Sequence, residues 1–278
     1  MVIGTMKSGS TSLFRWLESH PAVSMPATKE PNFFCDDRRF RHGMSSYLRY
    51  FADCPLDQVT GEASVQYTDP RWSERTAFRV RHAVPSVKLI CLLRNPFDRM
   101  RSHYLHEVQR GREARRFSLV ASELNSPYVQ RSFYALALEP WVRLFPPEQL
   151  RVVSFEELFS ADSAWSGLLD FLELGQIPRP AEAHNVGADK AAFSRPLKIL
   201  WEAGVVQRLP SPPRALRSLA RRALLKPPHR TSHLVASAKE PVSQPVRNLL
   251  IGEVQRLAVL IPTFDHDWEK GFAQGMNN

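Results

Sequence analysis

Lys7, Gly9 and the hydroxyl residues Ser8, Ser10, Thr11 and Ser12 fall in one short run, Gly4-Thr5-Met6-Lys7-Ser8-Gly9-Ser10-Thr11-Ser12. Small residues let backbone N–H groups close around an anion, and a lysine adds a point charge. Such a run suits binding of a phosphate. It is not the ATP-type loop G-x-x-x-x-G-K-[ST], because Lys7 precedes Gly9 rather than following it. An ordinary turn with helix-capping Ser and Thr is the bland alternative. A second cationic position is Arg94, in Leu93-Arg94-Asn95-Pro96-Phe97-Asp98-Arg99-Met100-Arg101-Ser102-His103-Tyr104. An arginine at the C-terminal edge of a strand is placed to grip a second phosphate, and Ser102 lies eight residues on. No well-placed Asp follows Val87–Leu93 to hold magnesium. His103 and His106 stand three apart without carboxylate or Cys partners at metal spacing, so no metal is expected.

The elements that would carry these residues alternate. Val2-Ile3 lead into the Gly/Ser turn, and Thr11–His20 reads as an amphipathic helix with Leu13, Phe14 and Leu17 on its apolar face. Val59–Glu62 is a short strand candidate, and Trp72–Val84 a helix. Val87–Leu93 is an almost unbroken apolar run, as expected of a strand covered on both faces. Pro96 suits a first helical turn, with the helix running to about Arg110. Tyr128–Phe145 reads as one helix, Leu150–Ser154 as a strand, and Val246–Leu260 as the last helix. Strands separated by helices imply an α/β fold: a three-layer αβα, P-loop-like arrangement around a mainly parallel sheet. Ten of the 22 prolines lie between Gly175 and Pro245, which favours short helices and loops there. One domain over residues 1–278 is expected, with a nucleotide-binding core at 1–174 and a helical, proline-rich part at 175–278 covering cofactor and acceptor cleft.

At the two phosphate segments the sequence resembles the sulfotransferase family. MVIGTMKSGSTSLFRWLESHP is similar to its 5′-phosphosulfate loop and following helix, and LICLLRNPFDRMRSHY to its 3′-phosphate segment. Lys29-Glu30-Pro31-Asn32-Phe33-Phe34, Arg131-Ser132-Phe133-Tyr134 with Trp141, and LRVVSFEEL resemble the branch that sulfates glycans and related bacterial acceptors. The likeness spans residues 2–174 and returns at Phe264–Trp268.

The resemblance implies the donor 3′-phosphoadenosine 5′-phosphosulfate (PAPS), with 3′,5′-adenosine bisphosphate (PAP) as product. Lys7, Ser8, Gly9, Ser10, Thr11 and Ser12 would hold its 5′ end. Arg94 and Ser102 would hold its 3′-phosphate, and Tyr134 would help close the site. Asn185-Val186-Gly187 to Lys190 would supply a covering loop. Glu30 matches the family's catalytic glutamate and is the expected general base, with Lys7 stabilising the leaving phosphate. Glu62 is the rival base or acceptor-orienting group. Asn32, Phe33 and Tyr67 are the expected acceptor contacts. Two departures matter: Ala63 stands where the heparan-type branch has a Lys, and Asn32 where it has a substrate-contacting His. Both point away from a heparin-like polyanion, toward a hydroxyl on a sugar, glycolipid or glycosylated natural product.

Lys and Arg number 37 against 28 acids, a net charge of +9. Residues 203–239 hold eight basic residues and no acid. That patch suits contact with an anionic membrane, a lid over the acceptor cleft, or a solvated surface. No nucleic-acid-binding motif is visible. Two other classes remain in view: an ATP-dependent small-molecule kinase, and a basic nucleic-acid- or membrane-binding protein on a nucleotide fold. No apolar run approaches the roughly 20 residues of a membrane helix, and MVIGTMKSGS lacks the features of a signal peptide. Cys35, Cys54 and Cys91 form no CxxC pair and read as free thiols. A cytoplasmic, bacterial-type enzyme is the expectation, with peripheral membrane association through residues 203–239 as a variant of it.

Overall fold

The computed structural model describes residues 1–181, 232–264 and 266–268. The covering loop expected at Asn185–Lys190 lies outside the described residues, as does residues 203–231 of the basic segment. In chain order the strands are β1 (Val2–Gly4), β2 (Val23–Ser24), β3 (Val59–Thr60), β4 (Leu89–Leu93) and β5 (Leu150–Ser154). The helices to the end of β4 are α1 (Ser10–Glu18), α2 (Asp37–Arg41), α3 (Met44–Leu48) and α4 (Ser73–Ala83). After it come α5 (Pro96–Gln109), α6 (Phe117–Val120), α7 (Pro127–Gln130) and α8 (Tyr134–Leu144). Then follow α9 (Phe155–Ser160), α10 (Asp162–Phe171), α11 (Ser232–Ser237) and α12 (Gln244–Leu260).

The main sheet is parallel, in the order β1-β4-β5. β2 and β3 form a separate parallel pair, and the chain after β3 reaches the edge of the main sheet by a bridge between Ala63 and Val2. Strand side chains alternate between faces, and β4 shows it. Leu89, Cys91 and Leu93 join one core cluster with Ile3, Val80, Met100, Leu138 and Trp141. Ile90 and Leu92 join the other, with Leu13, Phe14 and Leu17 of α1 and Trp165, Leu168 and Leu169 of α10. Helices therefore cover both faces, which is why β4 reads as continuously apolar. The last long helix enters the first of these cores through Val246, Leu250, Val254 and Leu257.

The expected helix over 128–145 is two helices, α7 and α8, parted at Arg131–Phe133. Ser132 explains the interruption in part. Its hydroxyl accepts from Nε of the fully buried Arg99 at 2.8 Å, a long-range partner that hydrophobic spacing along one segment does not register. No helix among the described residues is long and apolar enough to cross a membrane.

Candidate active site

The parallel sheet delivers three strand ends to one edge, where open α/β sheets bind ligands. β1 ends at Gly4 and the chain turns into α1. The turn is pinned to the sheet by Thr5 N donating to Leu92 O at 2.7 Å. Gly9 precedes the first residue of α1 with φ +90°, and a Cβ there would stand 2.8 Å from Phe155 and 2.9 Å from Phe159. Only glycine meets both demands. Lys7 is also held in the left-handed region, at φ 72°. No side chain caps α1 at Gly9. Its leading N–H groups have no intrahelical acceptor, and Gly9, Ser10, Thr11 and Ser12 line a cleft.

β4 ends at Leu93 and hands Arg94 to the same cleft. Asn95 then caps α5, its Oδ1 accepting from Phe97 N at 3.0 Å, with Pro96 in the first turn. The Arg94 guanidinium lies 4.7 Å from the centre of the Phe155 ring, supplied by the end of β5. Its Nε is buried with no hydrogen-bond partner among the described residues. Buried charged donors are normally satisfied, so this one fits an anionic ligand. The Tyr134 hydroxyl donates to Arg94 O at 2.8 Å. Glu156 ties the same loop to the C-terminal segment: Asn95 N and Trp268 Nε1 both donate to its carboxylate, at 3.1 Å.

The cleft is about 1090 Å³. Lys7, Gly9–Ser12, Arg94 and Ser102 line one part of it, with Lys29, Glu30, Val65, Gln66 and Arg131 elsewhere on its wall. Glu30 is carried there in a left-handed conformation, φ 62°, and its N–H donates to Ala63 O at 3.0 Å. Its carboxylate is 37% exposed and pairs with Lys29 Nζ at 2.9 Å.

Six of the expected site residues do not line this cleft. Ser8 is fully buried and its hydroxyl sits 2.5 Å from that of Thr5, bracing the turn. Tyr134 is buried, its hydroxyl bonded to the Arg94 carbonyl and to Thr5 of the turn. Phe33 and Tyr67 are core residues: Phe33 packs on Phe34, Phe40 and Tyr47, and neither ring is open to an acceptor. Glu62 is buried and absent from the wall of this cleft. It accepts from Ser64 Oγ at 2.7 Å, from the Tyr67 hydroxyl at 2.8 Å and from the Tyr47 hydroxyl at 3.4 Å. Burial pushes its pKa up, and the hydrogen bonds only partly offset this. A structural carboxylate is what these contacts make. Asn32 is likewise off the cleft wall. Its amide donates to Glu30 O at 3.1 Å and its N–H to Ser64 Oγ at 3.0 Å, so it holds the Glu30 loop.

His103 and His106 do face the cleft. Burial, then the positive charges of Arg99 and Arg131, push the His103 pKa down to about 2. A group so reluctant to bind a proton is a poor general base near neutrality. No cluster of three His, Cys, Asp or Glu residues suited to a metal is found among the described residues. Phe155, beneath Arg94, and Arg131 are among the wall residues without an assigned role from sequence. Phe155 was findable, since it follows a predicted strand just as Arg94 does.

The family model for the sulfotransferase domain matches residues 1–178. Heparan sulfate glucosamine 3-O-sulfotransferase 5 is 30% identical in Mus musculus and 31% in Homo sapiens, each over 172 residues. Each match covers 58% of this chain and 48% of the relative, so the chain spans about half the length of the curated relatives it matches. A solved sulfotransferase from Alicyclobacillus acidocaldarius is similar in fold, with a TM-score of 0.64 at 22% identity, covering 96% of this chain and 97% of that one.

Proposed function

This chain belongs to the sulfotransferase family, and from that premise we propose that it transfers the sulfuryl group of PAPS to a hydroxyl of a sugar, glycolipid or glycosylated natural product. The observation that carries the reading is one cleft lined by both the phosphate-type groups, Lys7, Gly9–Ser12, Arg94 and Ser102, and the carboxylate of Glu30.

PAPS supplies an activated sulfuryl group on a phosphate leaving group. The uncapped start of α1 and Lys7 would hold its 5′ end, and Arg94 with Ser102 its 3′-phosphate, as the orphaned Nε of Arg94 favours. Lys7 stabilises negative charge developing on the leaving phosphate. Glu30 takes the proton of the acceptor hydroxyl. Asn32 keeps the Glu30 backbone in its left-handed turn, a positioning role.

Asn32 and Ala63, in place of the His and Lys of the heparan-type branch, support an acceptor without many anionic groups, and the charges of the wall are in part paired with one another. Arg112 already grips Glu107 at 2.6 Å through two nitrogens, and Lys29 is paired with Glu30. Glu113 adds a further carboxylate to the same wall, held by Arg115 and the Tyr128 hydroxyl. Incubation with PAPS and a panel of neutral glycosides and glycolipids, beside a heparan-type polymer, tests this. PAP release with sulfation of a neutral acceptor is expected. Sulfation of the polymer alone would overturn the acceptor class, and no acceptor-dependent PAP release would count against the transfer reading.

A further inference from the structure

Arg131 follows α7 and lies on the cleft wall with 15% of its side chain exposed. Its Nε donates to Asp69 Oδ2 at 2.9 Å, its Nη2 to Gln66 Oε1 at 3.0 Å, and its Nη1 to the Met6 thioether. Among the described residues these bonds engage three of the five N–H groups an arginine carries. The guanidinium is thus fixed in orientation by the 66–69 segment on one side and the phosphate turn on the other.

Its charge is not fully offset. Asp69 is shared, because Arg71 grips the same carboxylate through Nε at 2.8 Å and Nη2 at 2.7 Å. One carboxylate cannot neutralise two guanidinium groups. Arg71 is half exposed and water screens it, whereas Arg131 is the more buried of the two. Glu107 on the facing helix α5 is already held by Arg112. His103 adds no negative charge and stays neutral. A thioether is a weak acceptor, so Nη1 retains most of its capacity for an anionic oxygen. Met6 is the neighbour of Lys7, so this partly uncompensated fork stands at the start of the turn that would hold the donor's 5′ end.

We propose that Arg131 is a catalytic residue of the transfer, its Nη groups binding the sulfuryl oxygens where they emerge from the phosphate turn. The proposal rests on the reading that the cleft takes PAPS. In the transfer the acceptor oxygen bonds to sulfur, and the bond from sulfur to the bridging phosphate oxygen breaks. Its electron pair goes to that oxygen in PAP, and the acceptor proton goes to Glu30. Arg131 keeps its protons throughout and stabilises charge on the oxygens that move.

PAP lacks the sulfuryl group, which separates this role from a merely structural one. The test is calorimetric binding of PAP and of PAPS to the full chain and to its Arg131→Gln and Arg131→Lys variants. PAP affinity within about twofold of the parent is expected, with PAPS affinity lowered by about tenfold or more. Lysine keeps a charge beside Asp69 but not the fork, so Arg131→Lys is expected to show the same split even if Arg131→Gln does not fold. Equal losses for both ligands would mean that Arg131 only braces the turn, and no loss for either would also overturn the proposal. If the parent chain bound neither ligand, the donor reading itself would fall and this inference with it.

Discussion

Glu30 is the residue on which the chemistry turns. Glu30→Gln is expected to leave PAP affinity unchanged and to lower turnover by about 10²–10⁴-fold, the usual weight of a general base. Full turnover in that variant would remove Glu30 from the role. Lys7→Ala is expected to weaken PAP binding and turnover together, since its charge faces the leaving phosphate in both product and transition state. His103 provides a pH test. Its folded pKa is depressed to about 2 from an ordinary 6.5. The stability it contributes is therefore present above 6.5 and lost as pH falls toward 2, by up to about 1.4 kcal/mol per pH unit. Denaturant melts of His103→Gln should show a flatter acid limb than the parent below pH 6.5, and identical limbs would contradict the shift. At this scale the meeting of Lys7, Arg94, Ser102 and Glu30 in one cleft was legible in sequence, because the family motifs and their spacing mark these residues together. Phe33, Tyr67 and Tyr134 stand beside the motif but face the core, and nothing in a local run of letters separates the two faces of a loop. Arg131 acquires its role from Asp69, Gln66 and Met6, all more than 60 residues away.

Among the elements, the turn into α1 and the turn into α5 decide the site. Both are built by local chemistry: Gly9 at positive φ in one, Asn95 and Pro96 in the other. Gly9→Ala should lower stability by about 1–2 kcal/mol or more, the cost of the left-handed backbone, before the clash with Phe155 is added. It should also weaken PAP binding, because the start of α1 must shift. Asn95→Ala removes a cap and should cost about 1 kcal/mol in chemical denaturation. These turns were readable because glycine, proline and capping residues act over a few positions. The break between α7 and α8 was not, since it depends on Arg99 reaching Ser132 across the packed interior. The strand at Val59 is also shorter than the expected Val59–Glu62, ending at Thr60. The chain leaves β3 after Thr60 to meet Val2 at Ala63, which carries Glu62 inward.

Taken whole, the molecule is a parallel sheet with helices on both faces, and its C-terminal elements are part of the site's support. α12 fills the core beside α8, and Trp268 packs 6.0 Å from Tyr134 and hydrogen-bonds Glu156. We propose that residues 1–174 do not form a separate folding unit. A chain cut after Ile177 should lose its cooperative thermal transition, and a cooperative melt of that fragment would contradict this. The αβα architecture was legible from alternating strand and helix signals, and its C-terminal contribution only as a helix without a partner. The proposed function requires that the cleft take a 3′-phosphorylated adenine nucleotide. Calorimetric titration of the full chain with PAP and with ATP, each with and without magnesium, tests it most directly. Binding of PAP that is independent of magnesium and much tighter than that of ATP is expected. Magnesium-dependent binding of ATP with no preference for PAP would contradict it.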